Sequence, residues 1–255
     1  MQIKLSIDNG AGFVDYQCAP ISPTGLLLVP ADVVPTVIGL DALPWTGVFD
    51  EATKSPATGI ASAAGISSFP VAIGGRAARS FPSTYIANGG LRYHCPYAND
   101  TKAHNFVYAG DLWFDDLTPL GQMELDNNQV TVDGKTYIFG VQANNNSGSW
   151  DVTSTNQVTK ACKWNPTAAK GCPNLWPAKQ WLHFEIASHR DDAGNITYDA
   201  IHFNGTTMAL GVTYAASLGL KWAIGVCLVN LQIDGALSSS GSILVYGSNF
   251  QMARW

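Results

Sequence analysis

The feature that most constrains the fold of this chain is a series of runs in which apolar and polar residues alternate, joined by tight-turn dipeptides. The stretch VTVDGKTYIFGVQA holds two such runs on either side of Asp133-Gly134, a strong hairpin signal. WLHFEIAS and ITYDAIHF form a second hairpin around DDAGN, and the turn Asn204-Gly205 follows. No segment of convincing length has the period of a helix, so the short strands predict an all-β sandwich or barrel.

The composition is typical of one extracellular β-domain. The chain has 255 residues, of which 46% are hydrophobic and 13% charged, about half the usual charged share. The net charge of −5 and the absence of a basic run exclude nucleic acid as a partner. The longest apolar runs, GLLLVP and DVVPTVIGL, contain proline and are too short to span a bilayer. The first residues, MQIKLSIDNG, lack the pattern of a signal peptide, so we expect a secreted protein whose signal is not visible in this chain.

Two carboxylates and an amide occupy alternate positions of one predicted strand. In MELDNNQV these residues are Glu124, Asp126 and Asn128. Alternate residues of a strand share a face of the sheet. Either that face meets only water, or it binds a ligand.

A second polar row runs through CLVNLQID, where Asn230 and Gln232 alternate with apolar residues that we expect in the core. Planar amides donate and accept hydrogen bonds in pairs, which suits sugar hydroxyls. If this row lies beside Glu124 in one sheet, with Gln142 nearby, the two rows predict a sugar-binding face. Trp150 follows the loop ANNNSGS, and we predict that it is an exposed platform on which a sugar ring stacks.

Cys162 and Cys172 lie in CKWNPTAAKGC, a stretch whose proline and glycine are typical of a loop. The spacing and setting predict a disulfide that closes this loop, which would indicate an oxidising compartment. Two free thiols are the alternative. A zinc half-site is a third interpretation, but no CxxC motif and no nearby pair of histidines supports it. Trp164 and Trp176 flank the two cysteines and are candidates for the rim of a cleft.

The order of these motifs resembles a known superfold. The succession MELDNNQV, IFGVQANNNSGSWD, WLHFEI, ITYDAIHFNG and VNLQIDG is similar to the concanavalin A-like lectin/glucanase sandwich, over roughly Trp45 to Trp255. More narrowly, it resembles secreted domains of unknown function from soil bacteria, acidobacteria especially. The resemblance implies a single jelly-roll domain of two antiparallel sheets, with a concave face that recognises a polysaccharide, and it leaves the role of residues 1–44 open.

The β-glucanases of this superfold carry Glu-x-Asp-x-Glu, or Glu-x-Asp-x-x-Glu, on a strand of the concave face. The resemblance implies that Glu124 matches the nucleophile and Asp126 the middle carboxylate. The position of the acid holds Asn128 or, with a bulge, Gln129, and neither amide can protonate a leaving oxygen. We therefore expect glycan binding without hydrolysis. The first alternative is an endo-acting glycanase or polysaccharide lyase whose acid comes from another strand, with Glu185 as the candidate.

The second alternative is a structural subunit of an extracellular filament or adhesive surface. Residues 1–44 would serve self-assembly by adding a strand to a neighbouring molecule. No cofactor and no metal ligands are predicted. A structural calcium ion at Asp191, Asp192 and Asn195 is possible by the resemblance, and a plain hairpin turn explains the same residues equally well.

Overall fold

The computed structural model describes residues 4–8, 13–17, 25–49, 60–61, 67–86, 89–156, 158–236 and 239–255. Among these residues, every paired strand is antiparallel to its neighbour. The one helical element in the described ranges is a 3-10 turn, Pro173–Leu175. Among the described strands, Lys4–Asp8 (β1) and Phe13–Gln17 (β2) form a separate two-stranded pair.

The first of two larger sheets contains the strand with Glu124. Its nine strands are Thr46–Phe49 (β4), Gly90–Asn99 (β8), Leu120–Val130 (β10), Thr136–Phe139 (β11), Val141–Asn144 (β12), Ser149–Thr155 (β13), Cys162–Lys170 (β14), Ser217–Leu218 (β18) and Val226–Gly235 (β19). They pair in the order β14-β13-β12-β10-β19-β8-β4, while β11 pairs with β10 and β18. The two predicted polar rows therefore lie on neighbouring strands at the centre of one sheet.

The second sheet also has nine strands. They are Thr36–Gly39 (β3), Ile60–Ala61 (β5), Ser68–Ile73 (β6), Arg76–Ile86 (β7), Asn105–Phe114 (β9), Leu182–Arg190 (β15), Asn195–Phe203 (β16), Thr206–Ala215 (β17) and Gly241–Arg254 (β20). Their order is β17-β16-β15-β9-β20-β7-β5, with β3 on β20 and β6 on β7. The sheet covers the inner face of the first one.

The core lies between the two sheets because each strand points alternate residues inward. Met123 and Leu125 of β10 point into the core, as do Val229 and Leu231 of β19, and each is at most 1% exposed. Aromatic rings join the sheets, for example Phe106 of β9 and Phe139 of β11, with ring centroids 4.9 Å apart. The predicted all-β sandwich of two antiparallel sheets is confirmed.

The hairpins that the sequence predicted are present. β10 and β11 are joined through Asp133-Gly134, where Gly134 has a φ of 77°. β15 pairs with β16, and β16 turns into β17 through Asn204-Gly205, whose φ values are 45° and 85°. These positive φ angles explain why asparagine and glycine occupy the turn.

Part of the N-terminal segment belongs to the sandwich. β3, within residues 1–44, pairs with the last four residues of β20, and β4, which follows this segment, pairs with β8. Before β3, Leu26 and Val29 are buried against Val107 and Ala109 on the outer face of the second sheet. The chain around residues 26–29 therefore covers that outer face with a small apolar cluster of its own.

Candidate functional site

The polar side chains of the central strands form one continuous surface on the outer side of the first sheet. Glu124 of β10 is in register with Gln232 of β19 on one side and with Gln142 of β12 on the other. Asp126 is in register with Asn230. Because paired residues of antiparallel strands point to the same face, these five side chains lie together. This matches the arrangement that the two polar rows predicted.

Both carboxylates of this surface accept hydrogen bonds from the protein. The Gln232 Nε2 donates to Glu124 Oε1 at 2.9 Å and to Asp234 Oδ1 at 3.1 Å. The backbone N–H of Val141 donates to Asp126 Oδ1 at 3.1 Å. The side chains are thus held in place by neighbouring strands, with Gln232 bridging Glu124 and Asp234.

Asn128 occupies the place where the glucanase pattern has its acid. Its side chain is 3% exposed, faces the same side as Glu124, and its Nδ2 has no hydrogen-bond partner among the described residues. Gln129 points the other way, and its Nε2 donates to the backbone oxygens of Asp100 and Ala103, both at 3.1 Å. The candidate acid position is therefore filled by the amide of Asn128 alone.

A buried aspartate extends the polar row beyond Gln142. Asp151 of β13 is in register with Gln142 and only 2% exposed. Its Oδ2 accepts hydrogen bonds from Gln142 Nε2 at 3.2 Å and Asn144 Nδ2 at 2.9 Å. Its Oδ1 accepts bonds from Ser147 Oγ at 2.8 Å and Ser149 Oγ at 2.6 Å. Sequence analysis missed this residue because Trp150 was expected to be exposed. With Trp150 and Val152 both in the core, Asp151 between them has the outward phase of the strand.

A cleft of about 280 Å³ opens above this polar surface. Its floor includes Glu124, Asp126 and Asn128 of β10, and Asn230 and Gln232 of β19. Glu124 and Asp126 are the carboxylates among the described residues that line it. Gln142 belongs to the same row but lies outside the lining of the cleft, since its amide is bound to Asp151.

Apolar side chains form the walls of the cleft. Trp164 of β14, Leu220 and Trp222 line it, and Trp222 is 39% exposed. Trp164 thus lies where the sequence placed it, at a cleft. Trp222 and Leu220 were missed because they lie in the irregular segment between β18 and β19, where no periodicity indicates a direction.

Two cations also line the cleft. Arg92 of β8 is in register with Gln232, on the side away from Glu124. Lys160 lies in the turn before β14 with a φ of 58°, and its backbone N–H donates to the oxygen of Asn156 at 2.8 Å. The cleft therefore combines carboxylates at its centre with one cation on the side of β8 and another on the side of β14.

The prediction that Trp150 is an exposed platform is wrong. Its side chain is fully buried. It packs against Trp176 and Phe203, with ring centroids 5.9 Å and 5.6 Å away. The reason is the strand phase: Trp150 is in register with Ala143, and both point into the core. Trp176 packs against Trp150. It therefore does not line the cleft with Trp164.

The prediction of Glu185 as a second catalytic carboxylate is also wrong. Glu185 lies on β15 of the second sheet, between the inward-pointing Phe184 and Ile186, so its own side chain faces outward. The whole core separates it from Glu124. Its Oε1 and Oε2 accept the backbone N–H groups of Leu27 at 2.9 Å and Leu28 at 2.8 Å. Glu185 therefore holds the N-terminal segment on the outer face of the second sheet.

His183 links Glu185 to a second buried carboxylate. Its Nδ1 lies 2.9 Å from Asp111 Oδ1, and its Nε2 lies 3.2 Å from Glu185 Oε1. Hydrogen bonds to Asp111 and then to Glu185 raise the pKa of His183 to about 9. Burial acts to raise the pKa of Glu185, but the bonds from His183, Leu27 and Leu28 outweigh it and leave that pKa below its usual value. The cluster is an ion-pair network at neutral pH.

The predicted disulfide between Cys162 and Cys172 is not formed. The segment between them is a strand, β14, and eight extended steps carry the chain about 26 Å. A disulfide needs Cα atoms within about 7 Å of each other. The Cys172 thiol instead donates to Asn174 Oδ1 at 3.0 Å.

In the acidic turn between β15 and β16, carboxylate oxygens accept hydrogen bonds from nearby groups of the protein. Asp191 Oδ1 accepts the backbone N–H groups of Gly194 and Asn195, both at 2.9 Å, and Oδ2 accepts from Asn195 Nδ2 at 2.7 Å. Asp192 Oδ1 accepts from Arg190 at 2.9 Å. In the described ranges, no cluster of three or more metal-ligating side chains is found. The calcium ion at this turn stays a prediction.

Within the part of the chain that the structure describes, no helix has the length and apolar character needed to cross a membrane.

No family model matches the chain, and no curated protein matches it. Among solved structures it is similar to arcelin-5, a lectin-like defense protein from Phaseolus vulgaris, over 88% of this chain and 99% of that one, at 11% identity and a TM-score of 0.42. It is also similar to a glycosyl hydrolase family protein from Mycobacterium fortuitum, over 86% and 98%, at 10% identity and a TM-score of 0.42. A β-glucanase from Bacillus licheniformis aligns over 87% and 98%, at 9% identity and a TM-score of 0.40. Similarity at this level assigns no role to any residue of this chain.

Proposed function

We propose that this protein binds a polysaccharide, a β-glucan or a related glycan, in the cleft above β10 and β19. The observation that carries the proposal is the combination of surfaces in that cleft. Its floor is made of planar amides and carboxylates, and its walls include Trp164 and Trp222. A sugar ring offers hydroxyls at its edge and C–H groups on its faces. The floor suits the hydroxyls, and the indole rings suit the faces.

The same geometry favours binding over bond cleavage. Glycoside hydrolysis needs a proton donor about 5–5.5 Å from the second carboxyl for retention, or about 6.5–9.5 Å for inversion. The position on β10 that would supply it holds Asn128, and Glu185 lies on the far side of the core. Asp126 accepts a backbone hydrogen bond from Val141, a contact that holds the carboxylate as an acceptor. Asp234 shares the Gln232 amide with Glu124 but is not part of the cleft lining, so we propose that a glycan is held across Glu124 without being cut.

We further propose that the protein works outside the cell, as a secreted bacterial glycan-binding domain. The support is the composition, in which only 13% of residues are charged while amides and hydroxyls are plentiful. Polysaccharides are extended polymers that meet proteins mostly at cell surfaces and in the surrounding medium. The cleft lies on the outer side of the first sheet, where such a polymer can reach it.

The test is retention on an affinity gel that contains β-glucan, combined with an assay for released reducing ends. We expect the protein to be retained and to release none. Glu124→Gln keeps the shape of the side chain and can still accept from Gln232, but it removes the charge, so retention should weaken by about 1–2 kcal/mol. The matched control is Asp199→Asn, which removes one carboxylate from the outer face of the second sheet and should leave retention unchanged.

Two results would contradict the proposal. Equal retention of the wild type and Glu124→Gln would place the glycan elsewhere. Release of reducing ends by the wild type, abolished in Glu124→Gln, would show that the enzyme alternative is correct.

A further inference from the structure

Arg92 differs from the other arginines of this protein. Four of the five are anchored in the structure. Arg76, Arg190 and Arg254 each bind a carboxylate, at 2.6 Å, 2.9 Å and 2.8 Å. Arg79 donates to the backbone oxygens of residues 41 and 43. Arg92 makes neither a hydrogen bond nor an ion pair with any described residue, although it is half-buried and lines the cleft.

On the sheet, Gln232 lies between Arg92 and Glu124. Arg92, Gln232 and Glu124 are in register on three successive strands, so the Cα atoms of Arg92 and Glu124 are about 10 Å apart. The Gln232 amide donates to Glu124 at 2.9 Å, and no ion pair joins Arg92 to a carboxylate among the described residues. The guanidinium therefore remains available on one side of a cleft whose centre accepts hydroxyls.

We propose that Arg92 binds a carboxylate on the sugar ring, so that the preferred ligand of the cleft is an acidic polysaccharide. The inference rests on the proposed glycan-binding function and deepens it. A guanidinium presents N–H donors in a planar fork that matches a carboxylate with two parallel hydrogen bonds. A glycan ring placed over Gln232 would offer hydroxyls to Glu124 and its acidic group to Arg92. Lys160, across the cleft, adds a second positive charge, but its ammonium group does not impose the two parallel hydrogen bonds of a guanidinium.

The matched ligands share one backbone. A neutral β-glucan is compared with the same polymer oxidised at C6 to a carboxylate, and with the same polymer carrying sulfate esters. We expect the wild type to bind the oxidised polymer at least about tenfold more tightly than the neutral one in titration calorimetry. Arg92→Gln should remove this gain, so that the variant binds the oxidised and the neutral polymer with equal affinity.

Two further variants test the geometry and the charge separately. Arg92→Lys keeps the charge without the fork and should lose most of the gain. Lys179→Gln removes a charge from an exposed position outside the cleft and should keep the gain in full.

Each of the other possible results of these titrations overturns one or both proposals. Equal binding of the neutral and oxidised polymers, or a gain that survives Arg92→Gln, overturns the role of Arg92 while the glycan-binding function stands. A gain for the sulfated polymer as large as that for the oxidised one shows that charge alone is recognised and overturns the carboxylate. Failure to bind any of the three polymers overturns both proposals.

Discussion

The side chains of the cleft are oriented by one another before a ligand arrives. Gln232 donates to Glu124, and Gln142 donates to Asp151, so two amides are fixed by carboxylates in the same row. An amide held in this way presents a defined donor or acceptor and loses little freedom when a hydroxyl binds. The row thus resembles a prearranged recognition surface more than a surface adapted only to water.

Substitutions at two tryptophans distinguish the contribution of a side chain to glycan binding from its contribution to folding stability. Trp222 is 39% exposed at the wall of the cleft, whereas Trp150 is fully buried. We expect Trp222→Ala to weaken glycan binding by about 1 kcal/mol and to leave the free energy of unfolding within about 0.5 kcal/mol of the wild type. Trp150→Ala should lower the free energy of unfolding by about 3–5 kcal/mol. Denaturant titration with affinity electrophoresis measures both, and unchanged binding in Trp222→Ala would exclude that wall as a sugar platform.

Residue spacing predicted the floor of the site and not its walls. Period-two alternation fixes which residues of a strand share a face, so Glu124, Asp126 and Asn230 could be placed together. Alternation does not tell which sheet a strand joins, so the sequence could not show that the strand of Glu185 lies in the sheet opposite Glu124. Trp222 lies in irregular chain, where a single sequence carries no directional signal.

At the scale of elements, β14 shows how proline misleads the interpretation of a sequence. CKWNPTAAKGC looks like a loop because Pro166 and Gly171 interrupt it. Among the described strands, β14 is the terminal strand of the first sheet and has β13 as its one neighbour, so a proline without an N–H is tolerated there. Once the segment is a strand, its two cysteines are forced apart.

The segment around residues 26–29 depends on one carboxylate. Glu185 is 1% exposed and accepts the N–H groups of Leu27 and Leu28. Glu185→Ala would leave both donors and His183 without that partner, so we expect the free energy of unfolding to fall by about 2–3 kcal/mol. Limited proteolysis should then cut within residues 25–35 first. Asp199→Ala, at an exposed carboxylate of the same sheet, is the control and should resist cleavage like the wild type.

The same cluster predicts how stability depends on pH. The pKa of His183 is about 9 in the folded protein and about 6.5 in an unfolded chain. Because the folded value is the higher one, the stabilisation is complete below about pH 6.5 and is lost as the pH rises through 9. His183 is 37% exposed, so screening by solvent limits the loss to about 1 kcal/mol. Melting temperatures between pH 6 and 10 should fall in the wild type and fall less in His183→Gln.

At the scale of the whole molecule, the sheet arrangement predicts a monomer. Leu26 and Val29 are already buried against the chain's own second sheet, and β3 is already paired with β20. The apolar side chains of Leu26 and Val29 are therefore not available to a neighbouring molecule. Size-exclusion chromatography with light scattering should give the monomer mass of 27.2 kDa. A larger mass that falls on deletion of residues 1–17 would support the assembly alternative.

The apolar cluster on the second sheet also fixes a direction for the molecule. Leu26 and Trp255 both belong to it, so the chain enters and leaves that cluster on the face opposite the cleft. A bead or a sensor chip attached next to Trp255 would hold the protein by the side opposite the cleft. The cleft would then face the medium, and a dissolved polymer chain could bind along it.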